Sequence, residues 1–88
     1  MNTYYSAFDV LKSYIKSQEL TIVNYTVKQR YTHCTMWVAP NKGNITHFVC
    51  DKVSPTQFII YWFGEDYAQL GQTSFDFADV NTPDLHDC

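Results

Sequence analysis

Gln57-Phe58-Ile59-Ile60-Tyr61-Trp62-Phe63-Gly64 holds the longest apolar run of the chain, residues 58–63, and its length sets the class of protein. Six apolar residues make a buried strand, whereas a membrane-crossing helix needs ~18–20. The β-branched and aromatic side chains favour extended backbone, and Gly64 ends it. On the N-terminal side, Ser54-Pro55 reads as a two-residue turn after a strand over 44–53. Pro40-Asn41-Lys42-Gly43 suits a type I turn with Gly43 in the left-handed conformation, joining 44–53 to a strand over 31–39. Residues 21–27 form another β-rich segment, although Lys28-Gln29 is a poor turn by composition.

Before the strands the period is helical. Tyr4, Ala7, Phe8, Leu11, Tyr14 and Ile15 share one side, with Asp9, Lys12, Ser13 and Lys16 opposite. With Asn2 or Thr3 as N-cap, a helix is expected over 3–18. Beyond Gly64, residues 65–70 are expected to form a short helix stopped by Gly71. Residues 72–80 would form a last strand or coil, and 81–88 a flexible tail. The expected fold is α+β: an N-terminal helix packed on an antiparallel four-stranded meander, with a short C-terminal helix or strand segment, as one domain over 1–80.

These turns imply a register. Cys34 faces Cys50, Met36 faces Phe48 and Trp37 faces His47; a two-residue turn at Ser54-Pro55 then sets Phe48 opposite Tyr61 and His47 opposite Trp62. One face carries Val23, Tyr25, Val27, Cys34, Met36, Val38, Phe48, Cys50, Ile59, Tyr61 and Phe63, the seat for the helix. The other carries Ile22, Trp37, His47, Val49, Phe58, Ile60 and Trp62. One helix cannot cover both, so the second face needs cover from Tyr67, Leu70, Phe75 and Phe77 or from another molecule.

Seven Tyr, six Phe and two Trp give a chain of 88 residues enough ring area for a core. The N-terminus has no basic region followed by an apolar stretch, which sets the expectation of a cytoplasmic protein, in host cytoplasm if viral. Unmodified sequons at Asn24 and Asn44 and reduced thiols at Cys34, Cys50 and Cys88 belong to the same expectation. Charge is asymmetric. Residues 1–52 hold all six basic groups against three acidic ones, whereas 53–88 hold Glu65, Asp66, Asp76, Asp79, Asp84 and Asp87 with no Lys or Arg.

Catalytic and metal chemistry find little footing. His33 and Cys34 are adjacent on a strand and point to opposite faces, and His47 and Cys50 diverge likewise, so a closed zinc site lacks its geometry. The same thiols lie mid-strand among apolar residues, where a Cys–His nucleophile has no activating setting. The carboxylates of Glu65-Asp66 and Asp76/Asp79 have no cleft to face, and there is no glycine-rich phosphate loop. No enzyme activity, metal or cofactor is expected.

What remains is binding. Acidic groups interleaved with rings suit a basic surface on another protein, the charges raising the encounter rate and the rings the residence time. The candidate contacts are Glu65, Asp66, Tyr67, Phe75, Asp76, Phe77 and Asp79, together with a row of Trp37, His47 and Trp62 on the second face. A partner with a basic nucleic-acid-binding groove fits that chemistry, and a second copy of the chain is the alternative. A third reading, weak nucleic-acid binding, has only Lys28, Arg30, Lys42 and Lys52 as a basic rim. In profile (short, acidic, rich in rings, without a catalytic motif) the chain is similar to small phage or viral accessory proteins. That resemblance implies inhibition of a host factor by occupying its surface.

Overall fold

The computed structural model describes residues 6–77. The helix α1 spans Ala7–Ser17 and is followed by β1 (Ile22–Lys28), β2 (His33–Val38), β3 (His47–Lys52), β4 (Gln57–Phe63) and β5 (Gln69–Asp76). The strands form one antiparallel sheet in the order β1-β2-β3-β4-β5, with α1 packed on one face. The α+β class and the helix-on-sheet packing expected from the sequence are present, with five strands rather than four. Among the described residues no helix is long and apolar enough to cross a membrane. Asp79, the tail 81–88 and the candidate caps Asn2 and Thr3 lie outside the described residues.

The helix begins later than its apolar period suggests. Ser6 is extended and caps it: the Ser6 hydroxyl accepts the Asp9 N–H at 3.1 Å, and the Asp9 carboxylate accepts the Ser6 N–H at 3.5 Å. This reciprocal capping box satisfies two donors that a helix start leaves open. At the other end Glu19 is left-handed, with φ 61°. The Leu20 N–H reaches Ile15 O and the Glu19 N–H reaches Lys16 O, which is the Schellman arrangement with Glu in the place glycine usually takes.

The β2–β3 register follows the expected pairs, with Cys34 against Cys50, Met36 against Phe48 and Trp37 against His47. Its loop differs in detail. Asn44, not Gly43, is left-handed, and the Asn41 amide holds the loop through Ala39 O, Ile45 O and the Ile45 N–H.

At the next turn the expected register is wrong by one residue. Ser54-Pro55-Thr56 is a three-residue loop: Val53 N–H donates to Gln57 O, and Ser54 Oγ accepts the Gln57 N–H. Phe48 therefore pairs with Trp62 and His47 with Phe63. A one-residue shift turns every side chain of a strand over. Phe58, Ile60 and Trp62 thus face α1, while Ile59, Tyr61 and Phe63 face out. On β1 a bulge at Val23 has a similar effect, bringing Ile22 onto the helix face against Val38 and leaving Val23 61% exposed.

The core holds Ala7, Val10, Leu11 and Ile15 from α1 against Cys34, Met36, Val38, Phe48, Cys50, Phe58 and Ile60. A helix is about 10 Å across and strands lie about 4.8 Å apart, so one helix covers roughly two strands. Here α1 lies chiefly on β2 and β3. Tyr14 extends the cover, its ring 6.0 Å from Trp62 and 5.7 Å from Phe75. Gly71 does not stop a helix; it lies within β5 opposite Trp62, and a Cβ there would sit 2.6 Å from the indole ring.

Gly71→Ala is therefore expected to destabilise the fold by about 1–3 kcal/mol, the cost of overpacking a filled site. Gly43→Ala, whose added carbon meets only ordinary contacts at 3.5 Å or more, should stay within about 0.5 kcal/mol of the parent. Urea unfolding of both variants, followed by tryptophan fluorescence, measures the difference.

Candidate functional site

The alternation of strands places Asn24, Thr26 and Lys28 of β1 on the face away from α1. Thr35 and Trp37 of β2, His47 and Val49 of β3, and Ile59, Tyr61 and Phe63 of β4 share that face, with Gln72, Ser74 and Asp76 on β5. Its centre is apolar and its two edge strands are polar. At one end of the centre the rings converge. The His47 ring stacks on Phe63 with centroids 4.9 Å apart and planes within 9°, and Trp37 lies 6.1 Å away on the other side. Tyr67, from the 3₁₀ turn Glu65–Tyr67 that joins β4 to β5, packs at a steep angle against His47 with ring centroids 5.7 Å apart and is 81% exposed.

The sequence-predicted row of Trp37, His47 and Trp62 is thus corrected. Trp62 lies on the helix side with Tyr14 and Phe48, because the three-residue turn shifts β4, and Phe63 takes its place beside His47. The acidic–aromatic segment is also divided. Glu65, Asp66 and Tyr67 sit beside the ring cluster. Phe75, Asp76 and Phe77 lie at the far end of β5, roughly 25 Å away at about 3.3 Å per residue. Phe75 and Phe77 stack on each other 6.2 Å apart and pack on the helix face against Tyr14 and Phe58. They do not cover the outer face. Asp76 accepts a bond from the Gln57 amide at 3.2 Å. Phe63 was the residue sequence reasoning missed, and only the turn length could have revealed it.

Two backbone features hold the ring cluster in place. Asp66 and Tyr67 are both left-handed, at φ 62° and 60°, a conformation that costs an L-residue about 1–2 kcal/mol. The turn is closed by Gly64 N–H to Ala68 O at 2.9 Å and Ala68 N–H to Glu65 O at 3.3 Å. Below it, Thr46 Oγ lies 3.2 Å from the carbonyls of Phe63 and Gly64 and 2.9 Å from His47 Nδ1. This hydroxyl ties the start of β3 to the end of β4 and holds the His47 ring in place.

His47 is 7% exposed, and this burial lowers its pKa from the ordinary 6.5. Burial raises the thiols: Cys34 is pushed up to about 11, and Cys50 to about 12 by burial with Cys34 and Asp51 adding to it. Both stay protonated at neutral pH and face the core, while His33 points outward to Asp51 at 2.6 Å. The two cysteines therefore diverge from the two histidines. Among the described residues no group of three or more His, Cys, Asp or Glu is arranged to hold a metal ion. Of the four residues read as a basic rim, Lys28, Arg30 and Lys52 lie at the end of the sheet away from Tyr67, and Lys42 lies on the loop at the near end.

Acid should destabilise the fold through His47. The unfolded chain takes up this proton near pH 6.5, the folded chain only at lower pH, so stability is complete above about 6.5 and falls as pH drops toward the lowered value. Urea midpoints between pH 8 and 5 are expected to fall less steeply in His47→Phe than in the parent. Identical slopes would remove His47 as a source of the acid response.

Comparison with family models, with curated proteins and with solved structures returns no match to this chain.

Proposed function

We propose that this chain is a non-enzymatic binding protein that occludes a surface of a partner protein, using the outer-face end built from Trp37, His47, Phe63 and Tyr67 with Glu65 and Asp66. The supporting observation is Tyr67: a large ring held in solvent by a left-handed turn, next to stacked aromatics and two exposed carboxylates. Neither Glu65 nor Asp66 makes a hydrogen bond or ion pair with another side chain among the described residues. Rings at the centre of a patch supply most of the energy of a typical interface, and unpaired rim charges raise the encounter rate with an oppositely charged surface. The chemistry calls for a partner with a basic surface, such as a nucleic-acid-binding groove. The profile resemblance to phage and viral accessory proteins points to the same class of activity, with a host factor as the partner.

A second reading, self-association, has its own observation. The Phe77 N–H donates to Thr56 O, so Phe75, Thr73 and Gly71 also turn their backbone groups toward β4, and those of Gln72 and Ser74 point to the open edge of the sheet. That stretch of β5 carries no Lys and no Pro, the usual guards against edge pairing. Ser74→Pro removes an outward N–H at no cost to the β4 ladder, and light scattering at high concentration would show any dimer and its loss in the variant.

The occlusion reading is tested by capturing the partner with the parent chain and measuring kinetics against it. Glu65→Gln with Asp66→Asn should slow association roughly 3–10-fold at low salt, the gap closing as salt rises. Tyr67→Ala should speed dissociation, at a cost of about 1–2 kcal/mol. Salt-independent association together with an unaffected Tyr67→Ala variant would overturn the reading.

A further inference from the structure

Several concavities open among the described residues. One, about 640 Å³, runs between α1 and β5 over Val10, Tyr14, Phe75 and Phe77. Among the described residues its one charged lining group, Asp9, is already committed to the cap at Ser6. Another, about 440 Å³, lies beside the Tyr67 patch, where the β1 bulge, the β2–β3 loop and the 3₁₀ turn meet. Val23, Trp37, Pro40 and Ile45 form apolar walls, and among the described residues Glu65 is the one charged group that lines it.

Each feature of this second recess has a cause. The bulge that turns Ile22 inward pushes Val23 out to form one wall. The Asn41 amide spends both its donor and acceptor capacity on Ala39, Ile45 and the loop backbone, so it stiffens the floor and offers little to a polar ligand. The Glu65 carboxylate makes no hydrogen bond or ion pair among the described residues. An apolar recess with an indole on one wall and a single uncompensated carboxylate suits a long side chain with an aliphatic stem and a cationic head. A planar guanidinium meets both groups, stacking on an indole face and pairing with a carboxylate through two parallel N–H donors, which an ammonium cannot do.

We infer that this recess takes an arginine side chain of the partner protein, with Glu65 pairing the guanidinium and Trp37 flanking it. The inference rests on the occlusion reading and names the anchor by which the basic partner is gripped. It also separates the roles of neighbouring acids: Glu65 lines the recess and Asp66 does not.

The test needs no partner. N-acetyl-arginine amide is titrated into the isotope-labelled chain, with the citrulline analogue as a neutral isostere, and the indole and methyl NMR signals are followed. The arginine compound should shift Trp37, Val23 and Ile45 saturably, with a dissociation constant on the order of millimolar, as befits so small a ligand. The Trp62 indole, on the opposite face, should stay still. Citrulline should bind at least about fivefold weaker, Glu65→Gln should weaken the arginine compound by a similar factor, and Asp66→Asn should leave it unchanged. An unshifted Trp62 signal in Glu65→Gln confirms that the variant keeps its fold. Equal binding of arginine and citrulline, indifference to Glu65→Gln, or no shift at Trp37 would each overturn the inference. Loss of partner binding in Tyr67→Ala alongside any of those results would leave occlusion standing with a different anchor.

Discussion

The placement of β4 hangs on the three-residue loop Ser54-Pro55-Thr56. The Ser54 hydroxyl accepts the Gln57 N–H at 3.1 Å, and Val53 N–H closes the loop on Gln57 O at 2.9 Å. Because strand side chains alternate with a period of two, this count decides which rings of the longest apolar run meet the helix. Phe58 and Ile60 become fully buried under α1, and Trp62 reaches across to Gly71, the one residue of β5 that leaves room for an indole. The turn and the glycine support the same register from opposite ends of the strand. A slip of one residue would bring Tyr61 in place of Trp62 and turn Phe58 and Ile60 out to water.

This also explains which parts of the fold were legible in the amino-acid order. The β2–β3 register could be read because Pro40-Asn41-Lys42-Gly43 marks the turn and sets the pairs, and polar Thr35 between Cys34 and Met36 agrees on which side is inward. Residues 58–63 are apolar throughout and cast no such vote; only the turn could decide, and the hydroxyl bonds of Ser54 that lengthen it depend on geometry rather than composition. The capping box Ser6–Asp9 was present in the sequence, but Tyr4 shares the apolar period and drew the expected helix start outward. Gly71 reads as a helix stop because glycine commonly ends helices; its reason for being in a strand is a tertiary contact with Trp62, invisible to local reading. The same limit applied to the candidate site. Glu65, Asp66 and Tyr67 belong together because they share one turn, whereas an eight-residue strand carries Phe75 and Phe77 to the far end and onto the opposite face.

The corrected register also changes the problem of the outer face. With Phe58, Ile60 and Trp62 removed to the core, the outer surface is an apolar stripe of Val49, Ile59, Tyr61 and Phe63, ending at Trp37 and His47. Asn24 and Thr26 border it on one side, Gln72 and Ser74 on the other. Of these six residues His47 is buried, and the other five are half-buried, shielded in part by their own sheet. An apolar centre inside a polar border is the surface on which the proposed contact rests. It removes the need for a second cover while retaining a reason for contact.

Backbone strain separates the two left-handed segments of the chain. Gln29, Arg30 and Tyr31 are left-handed in succession, and there the structural return is plain: Tyr31 O accepts the first helical N–H, from Ala7, at 2.8 Å, tying the β1–β2 turn to the start of α1. Asp66 and Tyr67 give no such return to the core. Their turn is closed by its own backbone bonds, and the main consequence of the left-handed Tyr67 is that its ring stands over His47 with most of its surface in water. Strain of this kind persists where the surroundings fix it and tends to gather at places that act on other molecules. Because the recess lined by Trp37 opens beside this turn, with Glu65 on both, display of the tyrosine and placement of the carboxylate follow from one local distortion.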